Sequence, residues 1–244
     1  MQIERERRRA RYLAALGIER WVSRSSAVVA QAQVQVSLET EAAAPAVRAP
    51  IIESPVIAGD WQALVPQVMG CRRCALHAGR THAVFGVGNR EAEWMVVGEA
   101  PGSEEDKLGE PFVGAAGQLL TAMLAAIHLP REQAFITNVL KCRPPENRDP
   151  RPDEIAQCRP YLQRQIELVK PKLILAFGRI AAHNLLGLDQ PLSRLRGQLH
   201  HVPDLGMPVV VTYHPAYLLR VPADKRKAWE DLKFARRVFE ELPS

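Results

Sequence analysis

The sequence predicts an α/β protein in which helices cover both faces of a parallel sheet, preceded by a flexible N-terminal extension. Short continuous apolar runs alternate with segments of helical periodicity from residue 94 to residue 241. Such runs are typical of strands buried on both faces, and their alternation with helices is typical of parallel sheets. Residues 25–60 contain no aromatic residue and are rich in Ala, Val, Gln, Ser and Pro, which is the composition of a disordered linker.

The individual elements follow from the positions of these runs and of the turn residues between them. A short helix is predicted from Trp61, and residues 83–88 are predicted as a loop or a short strand. Strands are expected at residues 94–98, 134–139, 172–176 and 209–212. Helices are expected at residues 116–128, 153–169, 180–186 and 222–241, with Asp153 as the cap of the second.

Length and composition limit the kinds of protein that this chain can be. At 244 residues it is long enough for one complete core with an appendage. No apolar run approaches the roughly 20 residues of a membrane span, and the chain starts with charged residues, so a cytoplasmic location without membrane association is expected. The net charge of +5 is uneven, because residues 1–24 hold seven arginines against three glutamates. A nucleic-acid partner of residues 61–244 would therefore need a local basic patch.

The stretch from Trp94 to Leu120 combines the features of a ligand site. An apolar run that ends at Gly98 is followed by a glycine-rich turn cluster and by a helix start near Ala115. A strand, a glycine-rich loop and a helix in this order place a ligand at the carboxyl end of a sheet strand. Phe112 lies in this loop among acidic residues and glycines, outside any periodic apolar pattern. This position suggests an aromatic surface on which a flat ligand stacks.

Four cysteines form a candidate metal site. Cys71 and Cys74 form a CxxC pair, Cys142 follows the second predicted strand, and Cys158 lies in the next predicted helix. In a cytosolic protein this pattern favours a metal site over disulfides. Four thiolates suit either zinc or an iron–sulfur cluster, and the spacing alone does not choose between them.

Three motifs resemble those of the family 4 uracil-DNA glycosylases, the iron–sulfur branch of the uracil-DNA glycosylase superfamily. They are WMVVGEAPGSEEDKLGEPFVGAAGQLL at residues 94–120, TNVLKCRPP at residues 137–145 and VVVTYHPAYLLR at residues 209–220. The resemblance implies a three-layer α/β/α sandwich around a four-stranded parallel sheet, with the glycosylase domain at residues 61–244. It also implies that the four cysteines hold a [4Fe–4S] cluster with a structural role.

The resemblance assigns residues to a pocket for a flipped base. Asn138 would read the Watson–Crick edge of uracil with one acceptor and one donor, and Phe112 would stack on the ring. Glu105 would lie near the 5-position of the ring and exclude the methyl group of thymine. The structural alternatives are a turn cap for Asn138, core packing for Phe112 and a solvated carboxylate for Glu105.

The resemblance also assigns the catalytic groups. His214 would donate a hydrogen bond to uracil O2 as negative charge develops there. Ala100, which is expected to line the substrate site, occupies the position at which the commonest uracil glycosylases carry a water-orienting aspartate. Family 4 lacks that aspartate too. Glu99 is the first candidate for orienting the water or offsetting charge on the sugar, and Asn147 is the second.

DNA contacts are expected from the last motif. Arg220 and residues 215–219 would enter the minor groove, and Tyr217 or Leu218 would fill the space left by the flipped base. Ala216 stands where the family usually has serine, so one hydrogen bond of the family pattern is in question. Three further arginines are candidates for phosphate contacts: Arg143, Arg148 and Arg151.

The resemblance thus implies a monomeric, monofunctional glycosylase that releases uracil from DNA, with no lysine placed for a Schiff base. One alternative is a glycosylase for a broader set of deaminated or mismatched bases. The other is a non-catalytic iron–sulfur protein that binds DNA or the clamp loader. Residues 9–21 are similar to the N-terminal peptide of the bacterial clamp-loader psi subunit, which implies that residues 1–24 dock on the replication clamp loader.

Overall fold

The computed structural model describes residues 59–203 and 205–242. The basic peptide predicted at residues 1–24 lies outside these residues, as does the predicted linker up to residue 58. The first described element is the helix α1, Trp61–Met69, and its N-cap Asp60 accepts a hydrogen bond from the N–H of Ala63 at 3.1 Å. Within the described ranges, no helix combines the length and the apolar character that crossing a membrane requires.

A six-stranded sheet forms the centre of the described residues. Its strands are β1 Val87–Gly88, β2 Trp94–Gly98, β3 Ala134–Asn138, β4 Leu173–Phe177, β5 Leu199–His201 and β6 Pro208–Thr212. Across the sheet the order is β1-β3-β2-β4-β6-β5. The four central strands are parallel, whereas β1 and β5 run antiparallel at the two edges. The predicted four-stranded parallel sheet is therefore confirmed as the centre of a larger, mixed sheet.

The described part of the chain has seven further α-helices, which connect and cover the strands. They are α2 Ser103–Leu108, α3 Ala115–Ala126, α4 Pro152–Val169, α5 Arg179–Leu186, α6 Leu192–Leu195, α7 Pro215–Arg220 and α8 Lys225–Glu241. The short elements α2, α6 and β5 were not predicted, because three to six residues are too few to establish a hydrophobic period.

Alternate side chains of the central strands enter two separate cores. In β2, Met95 and Val97 pack in a core that includes residues of α1, α4 and α5. Trp94 and Val96 pack on the other face with residues of α3, α7 and α8. All five residues of β2, of β3 and of β4 are buried, which explains their continuous apolar runs. This arrangement is the predicted three-layer α/β/α sandwich.

Two predicted helix starts are wrong in detail. Asp153 lies inside the first turn of α4 and is not its N-cap. Its neighbour Glu154 accepts a hydrogen bond from the backbone N–H of Arg151 at 2.8 Å and so completes the start of that helix. The helix predicted at residues 222–241 begins at Lys225, because a short 3₁₀ turn precedes it.

The carboxyl ends of the parallel strands lie at one edge of the sheet. Gly98 pairs in register with Asn138, and Phe177 pairs with Thr212. The segments that leave these strand ends carry the three sequence motifs. Residues that are far apart in the sequence therefore meet at this edge, where ligands of open α/β sheets bind.

Candidate active site

A cavity of about 380 Å³ lies at the carboxyl edge of the sheet. It is lined by residues that follow β2, β3 and β6. Ten of the predicted site and DNA-contact residues line it: Glu99, Ala100, Glu105, Phe112, Asn138, Asn147, Arg148, His214, Tyr217 and Arg220. It is also lined by residues that the sequence did not single out, among them Pro101, Gly102, Ala116 and Asp149. The three motifs thus contribute to a single site.

Phe112 forms an aromatic wall of this cavity. Its ring centroid lies 5.6 Å from that of His214, with 29° between the ring planes. The backbone of Phe112 has a φ of 54°, which residues other than glycine rarely adopt. A Cβ atom at Gly117 would clash with the carbonyl group of Phe112, so the glycine allows α3 to begin against this loop. Strained backbone of this kind is concentrated at functional sites.

Asn138 ends β3 and has a buried acceptor without a donor. The residue is 2% exposed. Its Oδ1 is the one buried side-chain nitrogen or oxygen of the described residues that has no hydrogen-bond partner. A Cβ atom at Gly98 would clash with both this oxygen and the ring of Phe112, so the glycine keeps the two groups close together. An unpaired buried acceptor costs about 1–3 kcal/mol, which a donating ligand would recover.

His214 follows β6 and caps α7. Its Nδ1 accepts a hydrogen bond from the backbone N–H of Ala216 at 3.2 Å. Because Nδ1 is an acceptor, the proton of the neutral ring lies on Nε2. Burial and the charge of Arg220 lower the pKa of His214 to about 4, against an opposing effect of Glu105. The imidazole is therefore neutral near pH 7 and offers its Nε2–H as a donor at the cavity wall.

Glu99 follows β2 and has an unusually basic carboxyl group. Burial raises the pKa of Glu99 to about 7, and Asp149 adds to this effect while Arg179 and Arg220 oppose it. Its backbone carbonyl accepts a hydrogen bond from the N–H of Leu140 at 3.0 Å, which ties the residue to the segment after β3. A carboxyl group that ionises near neutral pH suits a residue that orients water or faces a developing positive charge.

Glu105 lies on α2, and its carboxylate is hydrogen-bonded to backbone groups. Its Oε2 accepts the N–H of Gly102 at 3.1 Å, and its Oε1 accepts those of Val113 and Gly114 at 2.9 and 3.0 Å. These contacts hold the start of α2 against the start of α3, and they favour a role in positioning the Phe112 loop. The proposed contact with the methyl edge of thymine stays a prediction.

The loop after β3 is held by polar contacts of its own. Glu146 and Asn147 both have a φ of 55°. Oδ1 of Asn147 accepts a hydrogen bond from Nε of Arg143 at 2.8 Å, so this acceptor is already occupied. Arg148, which lines the cavity, forms a bidentate pair with Glu154 at 2.5 and 2.9 Å. The loop is thereby anchored to α4.

Only some of the α7 side chains that were predicted to contact DNA are accessible to a ligand. The hydroxyl of Tyr217 donates to Asp224 at 2.6 Å, and its ring stacks on Tyr213 with centroids 5.1 Å apart. Leu218, predicted as a wedge, is 1% exposed and packs in the core. Leu219 is 44% exposed. In this conformation Leu219, rather than Leu218, is available to a ligand.

The four cysteines come from three segments that pack together. Cys71 and Cys74 follow α1, Cys142 follows β3 and Cys158 lies on α4. All four belong to the same packed cluster, and all are free thiols. In the part of the chain that the structure describes, no group of three or more His, Cys, Asp or Glu residues is arranged to hold a metal ion.

The chemistry around these sulfur atoms fits a metal–thiolate group. Burial is the main cause of the raised pKa values of Cys74, Cys142 and Cys158, and neighbouring thiols raise each of them further. The pKa of Cys158 reaches about 12. Thiolates here therefore need a bound cation to balance their charge. Arg80 donates to Sγ of Cys142 at 3.0 Å, and the backbone N–H of Lys141 donates to Sγ of Cys158 at 3.3 Å. Such donors typically support metal-bound thiolates.

Lys141 is the main residue of this region to which the sequence assigned no role. It is 1% exposed, and burial lowers its pKa to about 7. Its Nζ donates to the backbone carbonyl of Asn138, to Oγ1 of Thr137 and to Oε1 of Gln165, at 2.6 to 2.7 Å. A lysine after an apolar strand normally lies at the surface. The only signal in the sequence was its place between Asn138 and Cys142.

The fold and this site define a class of protein. The family model described as the Uracil DNA glycosylase superfamily matches residues 85–233, which include every residue that lines the cavity. The chain belongs to the uracil-DNA glycosylase superfamily.

Individual relatives place the chain within that superfamily. It is 49% identical over 176 residues to the type-4 uracil-DNA glycosylase of Archaeoglobus fulgidus, which covers 70% of this chain and 88% of the relative. It is 42% identical over 174 residues to the type-4 enzyme of Thermotoga maritima, with 70% and 90% covered. The type-5 uracil-DNA glycosylase of Thermus thermophilus is 27% identical over 190 residues, with 64% and 86% covered. These relatives confirm the resemblance to the family 4 uracil-DNA glycosylases that the three sequence motifs predicted.

Proposed function

We propose that the protein is a monofunctional uracil-DNA glycosylase, a cytoplasmic monomer that starts base excision repair by hydrolysing the N-glycosidic bond of uracil in DNA. The observation that carries this proposal is the buried, unpaired Oδ1 of Asn138 beside the ring of Phe112 and the neutral imidazole of His214. Uracil suits these groups because it is flat and has a donor at N3 and acceptors at O2 and O4. The printed names of the type-4 relatives support the same activity.

Asn138 would select the base. The target nucleotide must leave the stack before its edge can be read. Oδ1 of Asn138 would accept the N3–H of uracil while Nδ2 donates to O4. Cytosine presents an acceptor at N3 and a donor at the exocyclic amine, so it would set like groups against each other. Discrimination by buried polar groups of this kind is strong, because the wrong base leaves them unpaired.

His214 and Glu99 would carry the bond cleavage. As the C–N bond breaks, negative charge develops on uracil O2 and positive charge develops on the sugar. Nε2–H of His214 would donate to O2 and stabilise that charge without transferring its proton. Ionised Glu99 would offset the charge on the sugar and orient the water that attacks the anomeric carbon, with Asn147 as the alternative residue for the water. Uracil leaves as an anion, the attacking water gives its hydroxyl to the anomeric carbon and its proton to Glu99, and the DNA keeps an abasic site.

For the four cysteines we propose a [4Fe–4S] cluster with a structural role. The support is the donor set of four thiols, together with the N–H groups that donate to two of the sulfur atoms. A bound cluster would link the end of α1, the segment after β3 and α4 beside the cavity, and it would contribute to folding stability. Iron content and a broad absorbance near about 400 nm after anaerobic reconstitution test this proposal. A colourless protein with bound zinc would contradict it.

We propose that α7 meets the minor groove of the DNA. Tyr217 and the exposed Leu219 would lie at the space left by the flipped base, and Arg220 would contact the backbone. Arg143 and Arg151 remain candidates for phosphate contacts. Loss of any one of these phosphate contacts should lower the number of counterions released on DNA binding, measured from the salt dependence of the affinity, by about one.

For residues 1–24 we propose docking on the replication clamp loader. The support is the similarity of residues 9–21 to the psi-subunit peptide and the net positive charge of the segment. A peptide of residues 1–26 should retain the clamp loader in a pull-down, and Trp21→Ala should abolish the retention. A wild-type peptide that retains nothing would contradict this proposal.

A panel of bases tests the proposed activity against its alternatives. Duplexes with a single uracil, hypoxanthine, xanthine or mispaired thymine are incubated with the protein, and the released base is identified by chromatography. Release of uracil alone supports the proposal. Comparable release of hypoxanthine or xanthine would favour the broader glycosylase, and binding without release would favour a non-catalytic DNA-binding protein.

A further inference from the structure

Lys141 lies between the cavity and the four cysteines and contacts residues of both sites. Its Nζ donates to the backbone carbonyl of Asn138 at 2.7 Å. Its backbone N–H donates to Sγ of Cys158 at 3.3 Å. Because the residue is only 1% exposed, both contacts are shielded from water. Lys141 therefore connects two proposed functional residues. One is Asn138, which would read uracil, and the other is Cys158, which would hold the cluster.

The other two hydrogen bonds of Nζ fix Lys141 to the sheet and to α4. They are accepted by Oγ1 of Thr137 at 2.6 Å and by Oε1 of Gln165 at 2.7 Å. Gln165 lies two turns beyond Cys158 on the same face of α4. Its Nε2 donates to the carbonyl of Phe85 at 2.8 Å. The end of β3, α4 and the segment before β1 thus share one buried polar network.

Packing alone does not explain a lysine at this place. Nζ has three N–H groups only in its charged form, and all three have acceptors, none of which is a carboxylate. A buried cation without an anionic partner destabilises a folded protein. The contacts of its Nζ with Asn138 and of its backbone N–H with Cys158 therefore fix Lys141 between the base pocket and the cysteine site.

We propose that Lys141 is a positioning residue that couples the four-cysteine site to Asn138, so that an intact metal–thiolate site holds the base-reading amide in place. The proposal rests on the proposed glycosylase function. Loss of the bound group would release Cys158 and the backbone of Lys141, and Nζ would then no longer fix the carbonyl of Asn138. Displacements of about 1 Å in a catalytic site are enough to lower rates by about 10²-fold.

Three substitutions separate this role from a general effect on stability. Lys141→Met keeps the length and the apolar volume of the side chain and removes the ammonium group. Gln165→Leu keeps the lysine but removes its link to α4, and it serves if Lys141→Met does not fold. Arg164→Met is the control, because Arg164 hydrogen-bonds to Gly59 and Glu167 on the surface of α4 and touches neither site.

Each variant is compared with the wild type by kcat on a single-uracil duplex and by iron content. A third readout is the affinity for the same duplex with a 2′-fluoro uracil nucleotide, which resists hydrolysis. Lys141→Met and Gln165→Leu should lower kcat and weaken binding of this probe by about tenfold or more at unchanged iron content. Arg164→Met should change neither quantity.

Removal of the iron from the wild type should cause the same losses of kcat and of probe affinity. Removal of the iron from Lys141→Met should add little to its losses, because this variant already lacks the contact between Nζ and Asn138. If iron-free Lys141→Met instead shows the product of the two separate losses, the inference is overturned. A Lys141→Met protein with the kcat and the probe affinity of the wild type would also overturn it. A wild-type protein that releases no uracil would instead refute the proposed function, which distinguishes the two failures.

Discussion

Nδ1 of His214 accepts a hydrogen bond from the backbone N–H of Ala216 at 3.2 Å, so a single contact both starts α7 and determines which imidazole nitrogen carries the proton. The donor is a backbone group. The alanine that stands in place of the usual family serine therefore leaves this contact intact. With Nδ1 occupied, Nε2–H is the group that His214 offers to a ligand.

This relationship predicts the effect of changing His214. His214→Ala should lower kcat by about 10²–10³-fold, because the lost hydrogen bond strengthens as charge develops on the leaving uracil. Binding of an uncleavable uracil duplex should change much less. His214→Gln retains an N–H donor and should recover part of the rate. Single-turnover kinetics measure the effect, and equal rates for His214→Ala and the wild type would contradict this role.

The pH dependence of the rate should come from Glu99. Because burial raises its pKa to about 7, the carboxyl group is protonated below that pH and ionised above it. If the ionised form is the active one, kcat rises with pH through about 7 and levels off above it. His214, with a pKa of about 4, stays neutral across this window and adds no further change above about pH 5.

The control for this profile is Glu99→Gln. This variant should be slower than the wild type, and its rate should be independent of pH between about 5.5 and 8.5. A variant that retains the rise through pH 7 would show that another group titrates. A variant with the full rate of the wild type would show that Glu99 only holds its loop.

Gly98→Ala should close the base pocket. The added methyl group cannot coexist with Oδ1 of Asn138 and the ring of Phe112 in their observed positions. We expect kcat to fall by about 10²-fold or more. Gly79→Ala is the matched control, because its added Cβ would meet no atom within 4 Å. A Gly98→Ala enzyme with normal turnover would show that the pocket is not rigid.

Cys158→Ser should reduce both iron content and stability. Burial raises the pKa of the Cys158 thiol to about 12, so a bound cation is needed to favour the thiolate. Since a ligand that binds only the folded state stabilises it, loss of the cluster should lower Tm by about 5 °C or more. Calorimetry and iron analysis measure the two effects. Wild type stripped of iron should match the variant, and an unchanged Tm in both would contradict a structural role.

The sequence predicted the sandwich, and it placed most of the candidate site residues in segments that line one cavity. Buried parallel strands read as continuous apolar runs, and their carboxyl ends must lie at one edge of the sheet. The loop position of Phe112 and the strand-end positions of Asn138 and His214 therefore indicated that these residues belong to a site. The edge strand β5 was not predictable, and β1 was predicted only as a loop or a short strand at residues 83–88, because two or three half-exposed residues have no measurable period.

The sequence could not establish where side chains turn after leaving a strand or helix. Glu105 belongs to a run of acids that reads as solvated, yet its carboxylate accepts three backbone N–H groups. Lys141 reads as a surface residue, yet its stem turns inward to three acceptors. Of two adjacent leucines, Leu218 is buried and Leu219 is exposed. Each outcome depends on tertiary neighbours that no local pattern encodes.

The most direct measurement is cleavage of a labelled duplex with one uracil, treated with alkali after incubation with the wild type, Asn138→Ala or His214→Ala. We predict strand scission by the wild type, and at least about a 10²-fold slower reaction by either variant at unchanged fold and iron content. Full scission by Asn138→Ala would contradict the assignment of the base-reading residue. An iron-loaded wild type that leaves the uracil in place would contradict the proposed activity itself.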